Sequence, residues 1–96
     1  MRMSLMDLNS RPVLASHVRM KNDPVSGDPI LLFPEGVLIL NSTAHDILLL
    51  CEGKASGHEI LTALSAQFEV DEATLRSDVV ECLTDLLQRN LIILKS

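Results

Sequence analysis

Three histidines and two cysteines are the residues of this 96-residue chain whose chemistry could go beyond packing. Alternation places His17 on the polar face of a strand, while His45 and His58 fall in the first turns of expected helices. A helix N-terminus disfavours a protonated imidazole, so the last two read as ordinary surface residues. His45 and Asp46 are sequence neighbours, which a helix points about 100° apart, so they form no oriented pair. Cys51 and Cys82 make no CxxC and sit on apolar helical stripes, where cysteine behaves as a small hydrophobe. The chain contains no nucleophile elbow, P-loop, GxGxxG or HExxH. It does not read as an enzyme, and neither a metal nor a cofactor is expected.

The feature that calls for chemistry of another kind is Ile30–Leu40, ILLFPEGVLIL. Two apolar runs flank Pro34-Glu35-Gly36, where Pro34 lacks an N–H and Gly36 tolerates positive φ, so a tight turn is natural. A strand with one wet face should alternate apolar and polar residues, and these two do not. Both faces of the hairpin want cover, which a chain this short has little structure to supply. A partner is the natural source.

The remaining elements follow from local signals. Residues 1–10 read as a flexible arm, and 11–96 as one domain. Pro12–Lys21 reads as one strand, with Leu14, Val18 and Met20 on one face and His17, Arg19 and Lys21 on the other. Asn22–Pro29 is dense in turn residues. Strands at Ile30–Phe33 and Val37–Leu40 come next, then three helices. The first, about Thr43–Cys51, is capped by Asn41 or Ser42 and ended by Gly53 as C′ residue. The second begins with the capping box Ser56/Glu59. The third runs from about Glu72 to Asn90 behind Asp71 as N-cap. Leu91–Leu94 is a short strand or a packed tail. Strands followed by helices imply an α+β fold, and three helices after a small sheet suggest a winged helix-turn-helix arrangement.

The third helix is broader than one core contact requires. Leu75, Val79, Cys82 and Leu86 span about 60° of arc, and Val80, Leu83 and Leu87 widen it to about 160° on the flank that also holds Arg76. The extra flank wants a second neighbour.

Charge excludes several partners. The formal net charge is −5, whereas a nucleic-acid binder needs a basic surface to release counterions. Asp71, Glu72, Asp78, Glu81 and Asp85 face only Arg76 and Arg89 along the third helix, so it would repel phosphate as a recognition helix. No apolar run approaches the ~20 residues of a membrane span. MRMSLMDLNS lacks the apolar core of a signal peptide, so a reducing cytoplasm is the expected location. With only Phe33 and Phe68 as aromatics, the core must be aliphatic.

The order and spacing of several short motifs resemble the PqqD family of pyrroloquinoline quinone biosynthesis. They are Arg11-Pro12, Val18-Arg19, Ile30-Leu31-Leu32, Pro34-Glu35-Gly36, Leu40-Asn41, Thr43-Ala44 and Ile47-Leu48, then Cys51-Glu52-Gly53, Glu59-Ile60, Asp78-Val79, Leu83 and Leu86. The resemblance runs from about Arg11 to Ile93. Glu52 departs from it, since the pattern usually has Asp before Gly. The resemblance implies a winged-helix-like domain with a small N-terminal three-stranded antiparallel sheet followed by three helices. It implies a non-enzymatic peptide chaperone, a recognition element for ribosomally made, later modified peptides. Such a protein binds the precursor peptide PqqA and presents it to the radical S-adenosylmethionine enzyme PqqE, which crosslinks a Glu and a Tyr. The peptide adds as a strand to the edge of the third strand, beside the third helix.

An exposed edge offers unpaired N–H and C=O groups to such a guest. Val37, Leu38, Ile39 and Leu40, together with Arg76, Val80, Leu83 and Leu87, are the residues expected to line the groove. Alternation leaves open whether Val37 and Ile39 or Leu38 and Leu40 face it. Two other readings stand beside this one. One is a winged-helix transcriptional regulator. The other is a structural homodimer that exchanges its first strand about the Asn22–Pro29 hinge.

Overall fold

Short polar side chains at three points of the chain decide where its helices begin. In a computed structural model, which describes residues 7–95, Asn41 caps α1 (Ser42–Leu49) by accepting the Ala44 N–H at 2.7 Å. Ser56 and Glu59 close the expected capping box on α2 (Gly57–Ser65). Asp71 accepts the Thr74 N–H at 3.2 Å and starts α3 (Glu72–Gln88). That helix stops two residues before Asn90, which takes φ 64°. The N–H groups of Asn90 and Leu91 turn back to the carbonyls of Leu87 and Leu86, a Schellman closure that satisfies the helix's last acceptors.

Among the described residues, five strands complete the α+β fold: β1 (Arg11–Leu14), β2 (Arg19–Asn22), β3 (Pro29–Phe33), β4 (Gly36–Ile39) and β5 (Ile92–Lys95). The expected single strand over Pro12–Lys21 is two. A turn in which the Val18 N–H reaches the Ala15 carbonyl at 3.0 Å separates them. β1 leaves to pair antiparallel with β5, Val13 opposite Ile93, and β2-β3-β4 form the three-stranded antiparallel sheet. The expected facing survives the break: Val18 is buried, Leu14 and Met20 pack on the core, and His17, Arg19 and Lys21 are exposed.

Two boundaries differ from expectation. α1 ends at Leu49 with Leu50 as its cap, so Gly53 is not its C′ residue. Gly53 instead turns the following loop at φ 81° and donates its N–H to Pro12. Of the expected arm, residues 1–6 lie outside the described residues. Residues 7–10 form a turn docked on the start of α2: the Ser10 and Leu8 carbonyls accept the N–H groups of Gly57 and His58. Leu8 packs against the core there. A first-turn N–H has no partner within its own helix, so this docking satisfies two of them.

The core is aliphatic. Leu31 from the sheet, Ile47, Ile60 and Leu83 from the three helices and Ile92 from β5 meet with almost no exposed area. The sheet rests one face on this core, and its other face exposes Val37 and Ile39.

Candidate functional site

The register of the sheet decides which backbone groups are free. β3 and β4 pair with Ile30 opposite Ile39, Leu31 opposite Leu38 and Leu32 opposite Val37. The Leu40 N–H donates to the Pro29 carbonyl at 3.0 Å. In an antiparallel ladder, directly bonded pairs alternate with non-bonded ones. Leu40, Leu38 and Gly36 therefore turn their backbone groups inward to β3. Val37 and Ile39 turn theirs outward, to the sheet's edge. On the other side of β3 the Asp23 N–H bonds the Asp28 carbonyl at 2.8 Å. This places Ile30 and Leu32 in bonded pairs with β2 and agrees with the same alternation.

The side chains follow the opposite rule. Leu40 is buried and Leu38 half-buried, facing the core, while Val37 and Ile39 stand 56% and 70% exposed on the outer face. The alternation divides the four residues. Leu38 and Leu40 turn their side chains inward, and Val37 and Ile39 turn their backbone donors and acceptors to the sheet's edge.

Beside this edge runs a cleft of about 470 Å³. One wall is the backbone of residues 38–41 and the start of α1, at Thr43 and Ala44. The other is α3, at Asp78, Glu81, Cys82, Asp85 and Leu86. Thr43 and Asp78 also border a second hollow of about 250 Å³ that continues towards Phe68 and Val70. Leu38, Leu40, Ala44, Cys82 and Leu86 are the apolar part of the lining, and Asp78, Glu81 and Asp85 make the helix wall acidic. Asp85 is bridged to Arg89 at 3.0 Å one helical turn on.

The expected helix wall lies elsewhere. Leu83 is 0% exposed, a core residue rather than a lining one. Val80 and Leu87 are half-buried, Leu87 packed against the core, and Arg76 is exposed; none of the four borders the cleft. The buried stripe is Leu75, Val79, Leu83 and Leu86, with Leu83 inside it and Cys82 at its margin. At about 100° per residue, Asp78, Glu81, Cys82 and Asp85 lie to one side of that stripe, and Arg76, Val80 and Leu87 to the other. α3 turns the acidic side to β4. Asp78, Glu81 and Asp85 carried a signal in the sequence, as an acidic surface hostile to phosphate, but not as the wall of a groove.

Neither cysteine is poised to react. Burial, and then the neighbouring Cys82, pushes the Cys51 thiol up to about 12. Burial, and then the Asp85 carboxylate, pushes Cys82 up to about 11. Both stay protonated at neutral pH, and the thiolate is the reactive form. Among the described residues, no group of three or more His, Cys, Asp or Glu is placed to hold a metal ion. No helix among them is long and apolar enough to cross a membrane.

Comparison with known proteins gives one consistent answer. The family model described as coenzyme PQQ synthesis protein D (PqqD) matches residues 30–92. A PqqA binding protein of Rhodopseudomonas palustris strain TIE-1 is 37% identical over 83 residues, covering 86% of this chain and 81% of that one. A PqqA binding protein of Xanthomonas oryzae pv. oryzae is 33% identical over 90 residues, covering 94% and 98%. Among solved structures, the PqqD truncation of Methylobacterium extorquens PqqCD superposes with a TM-score of 0.78 at 26% identity, over 94% of this chain and 96% of that one. That protein is described as a functional, stand-alone recognition element for ribosomally synthesised and post-translationally modified peptides. TbiB1, solved in complex with the TbiA(beta) leader peptide, shares the fold with a TM-score of 0.71 at 23% identity, over 83% and 93%. Three helices after a small antiparallel sheet, a family model over residues 30–92 and relatives matched over nearly the whole chain place this protein in the PqqD family.

Proposed function

We infer that this chain is a peptide carrier of pyrroloquinoline quinone biosynthesis. It binds the precursor peptide PqqA as a fourth strand along β4 and presents it to PqqE for crosslinking of a Glu and a Tyr. The observation that carries this reading is the outward set of Val37 and Ile39 backbone groups, on a strand edge beside a cleft of about 470 Å³. Two N–H and two C=O groups there await a partner, and each net hydrogen bond contributes roughly 0.5–1.5 kcal/mol. The backbone alone supplies about 2–6 kcal/mol by that measure, and side chains entering the cleft add the rest and the selectivity.

The opposite edge, on β2, is a poorer site. Charged Arg19 and Lys21 alternate along it, a pattern that discourages strand addition. The acidic wall of α3 adds a rule about the guest. A neutral or basic side chain is accepted facing Asp78 and Glu81, and an acidic one is disfavoured by like charge. The glutamate to be crosslinked then stays outside the cleft, where an enzyme can reach it. The relatives' names, as PqqA binding proteins, support the choice of guest.

Titration of the ¹⁵N-labelled chain with PqqA peptide tests the reading. Amide resonances of Val37, Ile39 and the Asp78–Cys82 segment should move most. A saturating titration that leaves them in place would remove the proposal.

A further inference from the structure

Among the described residues no element packs on the sheet's outer face, where Val37 and Ile39 are exposed, and its side chains are laid out in two rows. Arg19, Leu32 and Val37 stand opposite one another across the three strands, as do Lys21, Ile30 and Ile39. Leu31 between them points to the core, so both rows point away from it. Ile30 confirms the direction: it is only 7% exposed yet stands outside the core cluster. The face is thus an apolar centre at Leu32, Val37 and Ile39 with two cations along the β2 side. The nearby acids Asp23, Asp28 and Glu35 sit in the hairpin loops at its two ends.

We propose that this face docks a second protein whose contact surface is apolar at its centre and carries carboxylates opposite Arg19 and Lys21, namely the enzyme that modifies the carried peptide. The proposal rests on the peptide-carrier reading for the identity of that partner. Charge supports it. The chain is formally −5, and a face with two bases and no acid in its rows runs against that balance. Two bases around an apolar centre are too few for nucleic acid, whose binding needs many phosphate contacts. A second copy packed symmetrically on this face would bring the same patch twice into one interface. Four cations would then share an apolar contact with no acid from either row.

Position supports it as well. The face is continuous with the edge of β4, so a guest strand there would place every second side chain beside Val37 and Ile39. Carrier and cargo would offer the enzyme one surface.

The test uses two separate titrations of the whole chain and of two variants, Arg19→Glu/Lys21→Glu and Ile39→Ser. All the altered side chains are exposed, so folding should survive, and circular dichroism checks this. In the first titration labelled chain meets PqqE alone. Both variants should weaken binding, the charge reversal by about tenfold or more at low salt and less at high salt. In the second, labelled PqqA peptide meets each chain, and the charge reversal should leave its affinity within about twofold, because the β4 edge is untouched. If the unaltered chain does not bind PqqE, or if binding ignores both variants, the proposal is overturned whatever the peptide does. If the unaltered chain fails to bind peptide, the carrier reading fails instead, and the first titration still decides this face. A concentration-dependent dimer abolished by Ile39→Ser would assign the face to a second copy and also overturn the proposal.

Discussion

Ile39→Pro separates the fold of β4 from its proposed use. Proline removes one backbone N–H and fixes φ near −65°. At position 39 the missing N–H points away from β3, because Ile30 and Ile39 form a non-bonded pair. The chain's own ladder therefore loses no hydrogen bond. At Leu38 the same change removes a donor to Leu31 and places a ring in the half-buried layer. A guest strand, in contrast, loses a donor only at position 39, and its own carbonyl is left without a partner. Leaving such a group unsatisfied costs roughly 1–3 kcal/mol, so the expected loss is about 5- to 150-fold in peptide affinity. Anisotropy of a labelled PqqA peptide measures this, with urea unfolding followed by circular dichroism as the control. Ile39→Pro should lose affinity while its unfolding midpoint moves little, and Leu38→Pro should be destabilised outright. The reasoning is refuted if a folded Ile39→Pro binds as before, or if the two prolines are equally destabilising.

Other expectations follow from the same geometry. Replacing Asp78 and Glu81 by Asn and Gln should let an acidic residue into the cleft. A PqqA variant carrying Glu at a cleft-facing position should gain affinity from that exchange, most clearly at low salt, where like-charge repulsion is least screened. Gly57→Ala should destabilise the fold, because an added Cβ would lie 2.6 Å from the Leu8 side chain and 3.0 Å from its Cα. Overpacking of this kind costs about 1–3 kcal/mol, readable as a lowered urea midpoint. The two thiols give a pH dependence. Burial pushes them up to about 12 and about 11 in the folded chain, above the ordinary thiol value of 9.0. The unfolded chain therefore loses its thiol protons first, and stability is full below pH ~9 and falls as pH rises from ~9 towards ~12. Cys51→Ala and Cys82→Ala chains should show a shallower fall in denaturant titrations across that range.

What the sequence disclosed and what it withheld divide along the range of the interactions. The caps at Asn41, Ser56 and Asp71 were legible because each acts on an N–H three residues ahead. The Pro34-Glu35-Gly36 turn and the inward set of Val18 and Met20 were legible for the same reason. The break between β1 and β2 was not, since it depends on β5 arriving from the far end of the chain to pair with Arg11–Leu14. The docking of Leu8 on Gly57 is equally remote in sequence.

The site shows the same division. Its strand, Val37–Leu40, stood out by composition, and the register then assigned a different task to each alternate residue. Its helix wall did not stand out. A helical wheel gives the stripe on α3, but the side of that stripe nearest β4 is set by how the helix lies across the sheet. The broad apolar flank of Val80, Leu83 and Leu87 drew attention because apolar residues look like lining. Leu83 belongs to the core instead, and α3 lines the cleft with the carboxylates Asp78, Glu81 and Asp85 beside Cys82 and Leu86.

Amide hydrogen exchange at β4 is the most direct test of strand addition. Without peptide, the Val37 and Ile39 N–H groups face an open edge and should exchange fast, while those of Leu38 and Leu40 are held by the ladder to β3. Saturating PqqA should slow Val37 and Ile39 selectively. Unchanged exchange at both with peptide bound, or new protection along the Met20 edge of β2 instead, would contradict the account.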